Sequence, residues 1–379
     1  MAGIGERLRS RILSPSWLAI LTPLAAVAAA LAVGALMLTM LGVSPAAAYA
    51  AMFEGALGSV NSLADTLVKA TPLLLVAVGI CIAFRGGMLN IGGEGQLILG
   101  ALAATTVILA FPDLPSWALI PLGLVLGFAA GALWGAVPGV LKARLQVNEI
   151  LTTIMMNAIA VQMLNYLLRG PLMDPAQVQA GSFIPQTARF TSAADLPRLV
   201  PTRLHAGFLL AIVVAVLAWI LLWRTTIGFR IRAVGLNPFA SRRAGIRVSR
   251  YGVLAMILSG ALCGLAGAVQ VMGVNHRMFT DGSSAGFTGS AGFNGIVAAL
   301  FGQLHPLGAI PASIFFGGLI VGANAMQRAV QIPSAMITAL NGLLVIFVVS
   351  SDIWRRRLVQ RQQKAEAAKA LAGAEPAPT

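Results

Sequence analysis

The sequence predicts an all-α polytopic membrane protein with about ten transmembrane helices, an inverted repeat and broken helices, and three observations predict it. Of 379 residues, 58% are apolar and only 10% are charged. Mean hydropathy is +0.86, and apolar runs of membrane length recur from end to end. So few polar side chains cannot coat a water-soluble body of this size, and the wealth of apolar residues excludes a disordered chain. The 26 Lys and Arg against 12 Asp and Glu leave a net charge of +14. In a soluble protein that excess would suggest nucleic acid; here it reads as loop cations facing anionic membrane lipid, and no nucleic-acid partner is expected.

A crossing takes about 20 mostly apolar residues, because the hydrocarbon core is about 30 Å thick and a helix rises about 1.5 Å per residue. Runs of this kind fall at 17–41, 67–84, 96–111, 117–141, 150–168, 204–223, 251–274, 285–304, 307–326 and 332–350. They divide the chain into a cytoplasmic amphipathic segment at 1–16, a membrane domain at 17–350 and a cytoplasmic tail at 351–379. Arg7, Arg9 and Arg11 before the first run, with Ala48-Tyr49-Ala50 after it, imitate a secretory signal. The run is longer than an h-region of about 7 to 15 residues, so it is expected to stay as an anchor. Ile4, Leu8 and Ile12 sit at helical spacing beside those arginines, as suits a helix lying on the membrane surface.

With the amino terminus placed inside, alternation through ten crossings puts 19 of the 26 Lys and Arg inside and 7 outside. That bias obeys the positive-inside rule and predicts that both termini are cytoplasmic. Cys81 and Cys263 lie in apolar runs and act as small hydrophobic side chains. His205, His276 and His305 have no ligand spacing around them, so neither a metal nor any cofactor of the chain's own is expected.

Two of the helices are expected to be interrupted. The stretch from Arg85 to Gln96 is too polar and too rich in glycine for lipid-facing helix, yet it lies between membrane runs, so protein or water must shield its backbone. Gly282, Gly286, Gly289, Gly292 and Gly295 interrupt a later run in the same way, and Phe293-Asn294 echoes Leu89-Asn90. The two places are five crossings apart, so their helices run in opposite directions, as in an inverted repeat whose breaks meet near the midplane. Asn90, Glu94, Asn157, Phe293 and Asn294 are the residues expected to line a substrate path there. Two plainer readings stand beside this one: the glycines serve only close helix packing, and Glu94 forms a buried pair with Arg85.

Between Arg224 and Arg250 the chain carries seven arginines and no acid. Within it Asn237-Pro238 reads as a helix start, with Asn as N-cap and Pro at the first helical position, and Gly245 as the stop. Ala240 and Ala244 leave room for another protein to approach, and Phe239 offers an apolar anchor, so this short helix has the form of a docking element. A phosphate-cradling G-x-x-x-x-G-K-[ST] loop is missing, since none of the four lysines follows a glycine. The chain is therefore not expected to be an enzyme or to hydrolyse ATP.

The run Phe84-Arg85-Gly86-Gly87-Met88-Leu89-Asn90-Ile91-Gly92-Gly93-Glu94-Gly95-Gln96 resembles a signature of the permease subunits of bacterial ABC importers for nucleosides and simple sugars. Asn148-Glu149-Ile150 with Thr153 to Asn157, Asn165 to Pro171, Arg232 to Ile246 and Gly292 to Leu300 resemble further segments of that family, in order. The likeness is greatest to the larger permease of nucleoside importers, with ribose or another sugar as the alternative cargo. The resemblance implies a multi-pass protein of the inner (plasma) membrane that supplies half of a translocation path. Its implied partners are a cytoplasmic ABC ATPase that binds ATP and Mg, a second and different permease chain, and a substrate-binding lipoprotein. It assigns ATPase coupling to Gly235, Asn237, Pro238, Phe239, Ala240, Ala244 and Gly245, although members often carry an acid where this chain has Phe239. The competing class is an ion-coupled secondary transporter, for which Glu94 would be the intramembrane ionisable group.

Overall fold

Apolar runs of this length satisfy their own backbone only as helices, and the computed structural model is helical accordingly. It describes residues 15–333 and scattered positions from 336 to 350. The expected amphipathic segment and tail lie almost entirely outside the described residues, as does about half of the tenth expected crossing. Among the described residues the only β pairing is two isolated antiparallel bridges, Gln186 to Phe279 and Arg198 to His205.

The chain divides into two compact units, one of residues 1–50 with 326–379 and one of 51–325. In the first, α1 (Pro15–Met40) is followed by α2 (Pro45–Leu57), which continues into the second unit. The Tyr49 hydroxyl donates to the Leu31 carbonyl at 2.5 Å and ties the two helices together.

The second unit contains α3 (Val60–Arg85), α4 (Gly93–Ala110), α5 (Ser116–Leu145), α6 (Glu149–Leu168), the short α7 (Pro175–Gln179) and α8 (Gly207–Arg224). Next come α9 (Thr226–Leu236), α10 (Pro238–Arg243) and α11 (Val248–Gln270), the last extended by a π-helical turn at Val271–Asn275. The series ends with α12 (Ser284–Thr288), α13 (Ala291–Phe301) and α14 (Pro306–Val330), the last of which runs on into the residues of the first unit. Among the described residues, seven helices are long and apolar enough to cross a membrane. Two further expected crossings correspond to shorter apolar helices, Ala25–Met40 within α1 and Ala291–Phe301. The expected crossing at 285–304 is split at Gly289 and Ser290, both with φ of 60°, so the predicted interruption is present.

Protein covers 83% of the apolar window of α3 and 78% of that of α11, against 22% for α5. The core is therefore α3 and α11, and the outer helices turn apolar faces outward, as a lipid surround requires. What brings α5 against α11 is a row of glycines. Gly123, Gly127, Gly131, Gly135 and Gly139 recur every fourth residue and are all buried. A Cβ on Gly131 would meet the Gly260 carbonyl and stand 2.6 Å from the Gly264 Cα. Here the packing role of glycine holds in full.

Candidate translocation site and coupling segment

The first interruption begins where α3 ends at Arg85. Gly87, with φ of 73°, turns the chain, and it regains helical form only at Gly93. A non-helical run at this depth must find partners for its backbone, and two amides supply them. Asn90 is wholly buried. Its Nδ2 donates to Gln96 Oε1 at 2.9 Å and to Ser259 Oγ at 2.8 Å. Its Oδ1 accepts from the Gly92 N–H at 2.9 Å and from Gln96 Nε2 at 3.2 Å. Asn157, reaching across from α6, accepts the Gly95 N–H at 2.8 Å and donates to the Ile91 carbonyl at 3.0 Å. Both amides are thus engaged with the broken segment itself.

The second interruption lies directly against the first. Glu94 is fully buried, and its Oε1 accepts the Phe293 N–H at 3.4 Å. The Thr288 hydroxyl and the Gly292 amide face the same carboxylate. A Cβ on Gly292 would stand 2.8 Å from the Glu94 Cα, so only glycine lets the breaks join. The Phe293 ring is 44% exposed, and Asn294 is half-buried.

The expected alternative pairing of Glu94 with Arg85 is corrected. Arg85 Nε donates to the Leu304 carbonyl at 3.0 Å and its Nη2 to the Gln303 carbonyl at 3.2 Å. Its guanidinium also lies over the Trp223 ring, 5.5 Å from the centroid. The string Gly282-Ser283-Ser284-Ala285-Gly286 has the G-x-S-x-G spacing of hydrolase nucleophile turns. It opens a five-residue helix capped by Ser283 rather than joining a strand to a helix, so it is not such a turn.

The coupling segment departs from expectation in one respect. The chain after Arg224 is no loop: Thr225 caps α9 by accepting the Gly228 N–H at 3.1 Å, and α9 runs to Leu236. Asn237 then caps α10 as expected, its Oδ1 accepting the Phe239 and Ala240 N–H groups at 3.1 and 3.0 Å. Pro238 takes the first helical position and Ala244 is the C-cap, with Gly245 following at φ of 78°. Phe239 is 79% exposed, and Ala240 and Ala244 are exposed beside it. Gly235 serves differently, since its backbone packs on Arg85 and Gly87, the root of the first interruption. Arg232 lies 5.3 Å from the Trp223 centroid, so the Trp223 ring is shared with Arg85.

Sequence reasoning did not single out Gln96 and Ser259, which complete the Asn90 network. It also passed over a polar cavity between α3, the π turn and α12 whose wall includes Gln270 and Asn275. Two amides near the end of an otherwise apolar run were the available signal.

A membrane body whose two helix breaks are held together, with a capped and exposed helix rooted on one of them, has the layout of a permease. The chain belongs to the family described as "Branched-chain amino acid transport system / permease component", which it matches over residues 62–349, and it is a transport component of an ABC system. It is 39% identical to the guanosine ABC transporter permease protein NupP of Bacillus subtilis over 88% of this chain and 93% of that protein. The nucleoside ABC transporter permease protein NupB of Lactococcus lactis is 33% identical, over 87% and 90% of the two chains. The glucose ABC transporter permease protein TsgB13 of Haloferax volcanii is 36% identical over 90% of each. No solved structure matches.

Proposed function

We propose that this chain forms half of the translocation path of an ATP-driven nucleoside importer. In this reading α10 sits on a cytoplasmic ATPase that binds ATP and Mg, a second, related permease supplies the other half, and a lipoprotein delivers the nucleoside from outside. The observation that carries the proposal is the continuity from α10 through Gly235 to Gly87 and on to the joined breaks at Glu94 and Gly292. A displacement of α10 is applied to the backbone that leads into the path. The arginine bias supports placing α10 and both termini in the cytoplasm. Similarity to NupP and NupB supports nucleosides as the cargo.

The test is reconstitution of the complete importer in vesicles and measurement of labelled nucleoside uptake with and without ATP. Uptake that needs ATP and survives collapse of the ion gradients supports the proposal. Uptake that follows an ion gradient without ATP would return the chain to the secondary-transporter class. A sugar importer is the second reading, favoured by the similarity to TsgB13; glucose or ribose competing fully with the labelled nucleoside would favour it.

A further inference from the structure

Between α3, the π turn after α11 and the start of the second interruption lies a cavity of about 250 Å³. It falls just short of the roughly 300 Å³ at which pockets for drug-sized ligands begin, so it admits one small solute. Its wall is polar in a way that the surrounding helices are not. Gln270 is 9% exposed, and its Nε2 donates to the Phe287 carbonyl at 2.6 Å, while its Oε1 has no partner among the described residues. Asn275 Nδ2 is likewise without a partner among them. An unpaired buried amide atom is costly, and here one acceptor and one donor without partners among the described residues belong to two side chains of the same cavity wall.

From this we infer that the cavity is the pocket that selects the cargo, holding one ribonucleoside with its base on Phe279 and its ribose hydroxyls on Gln270 and Asn275. The inference rests on the nucleoside reading above. A vicinal diol both donates and accepts, which is what the free Gln270 Oε1 and Asn275 Nδ2 require. Phe279 is held edge-on against Phe287, with centroids 6.0 Å apart at 72°, and aromatic rings accept any base by stacking. Lys69 is the one charged side chain in the wall, so a base carbonyl is welcome there and a cation is not. The backbone from Val271 to Asn275 is a π turn, a geometry frequent at functional sites. Thr288 also lines the cavity and faces the Glu94 carboxylate. An occupied pocket therefore bears directly on the joint between the two breaks.

The experiment uses the complete importer in vesicles and compares uptake of a ribonucleoside with that of its 2′-deoxy and 3′-deoxy forms. The binding protein is the same in every sample, so a changed preference belongs to the permease. Asn275→Ala should lower the preference for the ribose form about fivefold, the worth of one hydrogen bond. Phe279→Ala should raise KM for all the nucleosides by roughly tenfold and leave that preference alone. The melting temperature and the elution volume of the complex should match the wild type in both variants, which excludes a folding defect. Wild-type KM and wild-type preference in both variants would overturn the pocket and leave the importer reading intact. Wild-type vesicles that take up hexoses and no nucleoside would overturn the cargo reading, and the pocket with it.

Discussion

Gly87 and Gly235 meet backbone to backbone: the Gly235 Cα lies 3.0 Å from the position that a Cβ on Gly87 would occupy, and a Cβ on Gly235 would stand 2.7 Å from the Gly87 N. One residue begins the first helix break and the other lies in the last turn of the helix that leads into α10. A contact without side chains has no slack, so a shift of one backbone moves the other.

Gly235→Val should therefore separate the two backbones. Overpacking of this kind costs about 1 to 3 kcal/mol, and because the contact lies on the coupling route, uptake should fall roughly tenfold or more while ATP hydrolysis continues. Parallel assays of transport and hydrolysis on the same vesicles check this. Equal loss of both would mean that the contact only stabilises the fold.

The exposed face of α10 makes a second prediction. Phe239→Arg combined with Ala240→Arg should abolish co-purification of the ATPase and uptake, with the delivery protein still capturing ligand. Both side chains are exposed, so the permease itself should keep its thermal midpoint. Full uptake by this double variant would refute docking at α10.

The amides divide into two groups. Asn90→Leu and Asn157→Leu each strand buried partners, Gln96 and Ser259 in one case and the Gly95 N–H in the other. Each should destabilise the protein by about 1 to 3 kcal/mol, read as a lowered melting temperature in detergent. Asn294 makes no side-chain hydrogen bond among the described residues, so Asn294→Leu should change uptake kinetics and leave the melting temperature in place.

His205 predicts an acid response. Its ring is buried, Nδ1 accepts the Gly207 N–H at 3.2 Å, and burial, helped by His276, pushes its pKa down to about 4. The unfolded chain binds this proton from about pH 6.5 downward, whereas the folded chain binds it only near 4. Stability should therefore be complete above pH 6.5 and fall by about 3 kcal/mol as the pH drops through that window. The ring presses on Gly273 in the π turn, so acid should loosen that turn first. His205→Gln should flatten the pH profile of the melting temperature between 4 and 6.5; an unchanged profile would remove His205 as its cause.

Much of this protein was legible in one dimension. Hydropathy located the crossings, clustered glycines with Asn90 and Glu94 marked one interruption, and Asn237-Pro238 with Gly245 marked a capped helix, because each depends on chemistry within a few residues. Helix α9 was not legible, since its arginines hide any apolar face. The glycine row on α5 was readable but has meaning only against Gly260 and Gly264.

Sequence alone determined that the chain lives in a membrane, where its helices break and where a short capped helix lies. Those are matters of solvation and local backbone freedom. Only the tertiary structure decided that Asn90 and Asn157 are spent on the break itself, that Arg85 turns to Leu304 rather than to Glu94, and that Gln270 and Asn275, each with an unpaired amide atom, line one cavity. Every amide in an apolar helix has the same need for a partner, and which one it meets is settled by residues that can lie more than a hundred positions away, as Ser259 lies from Asn90.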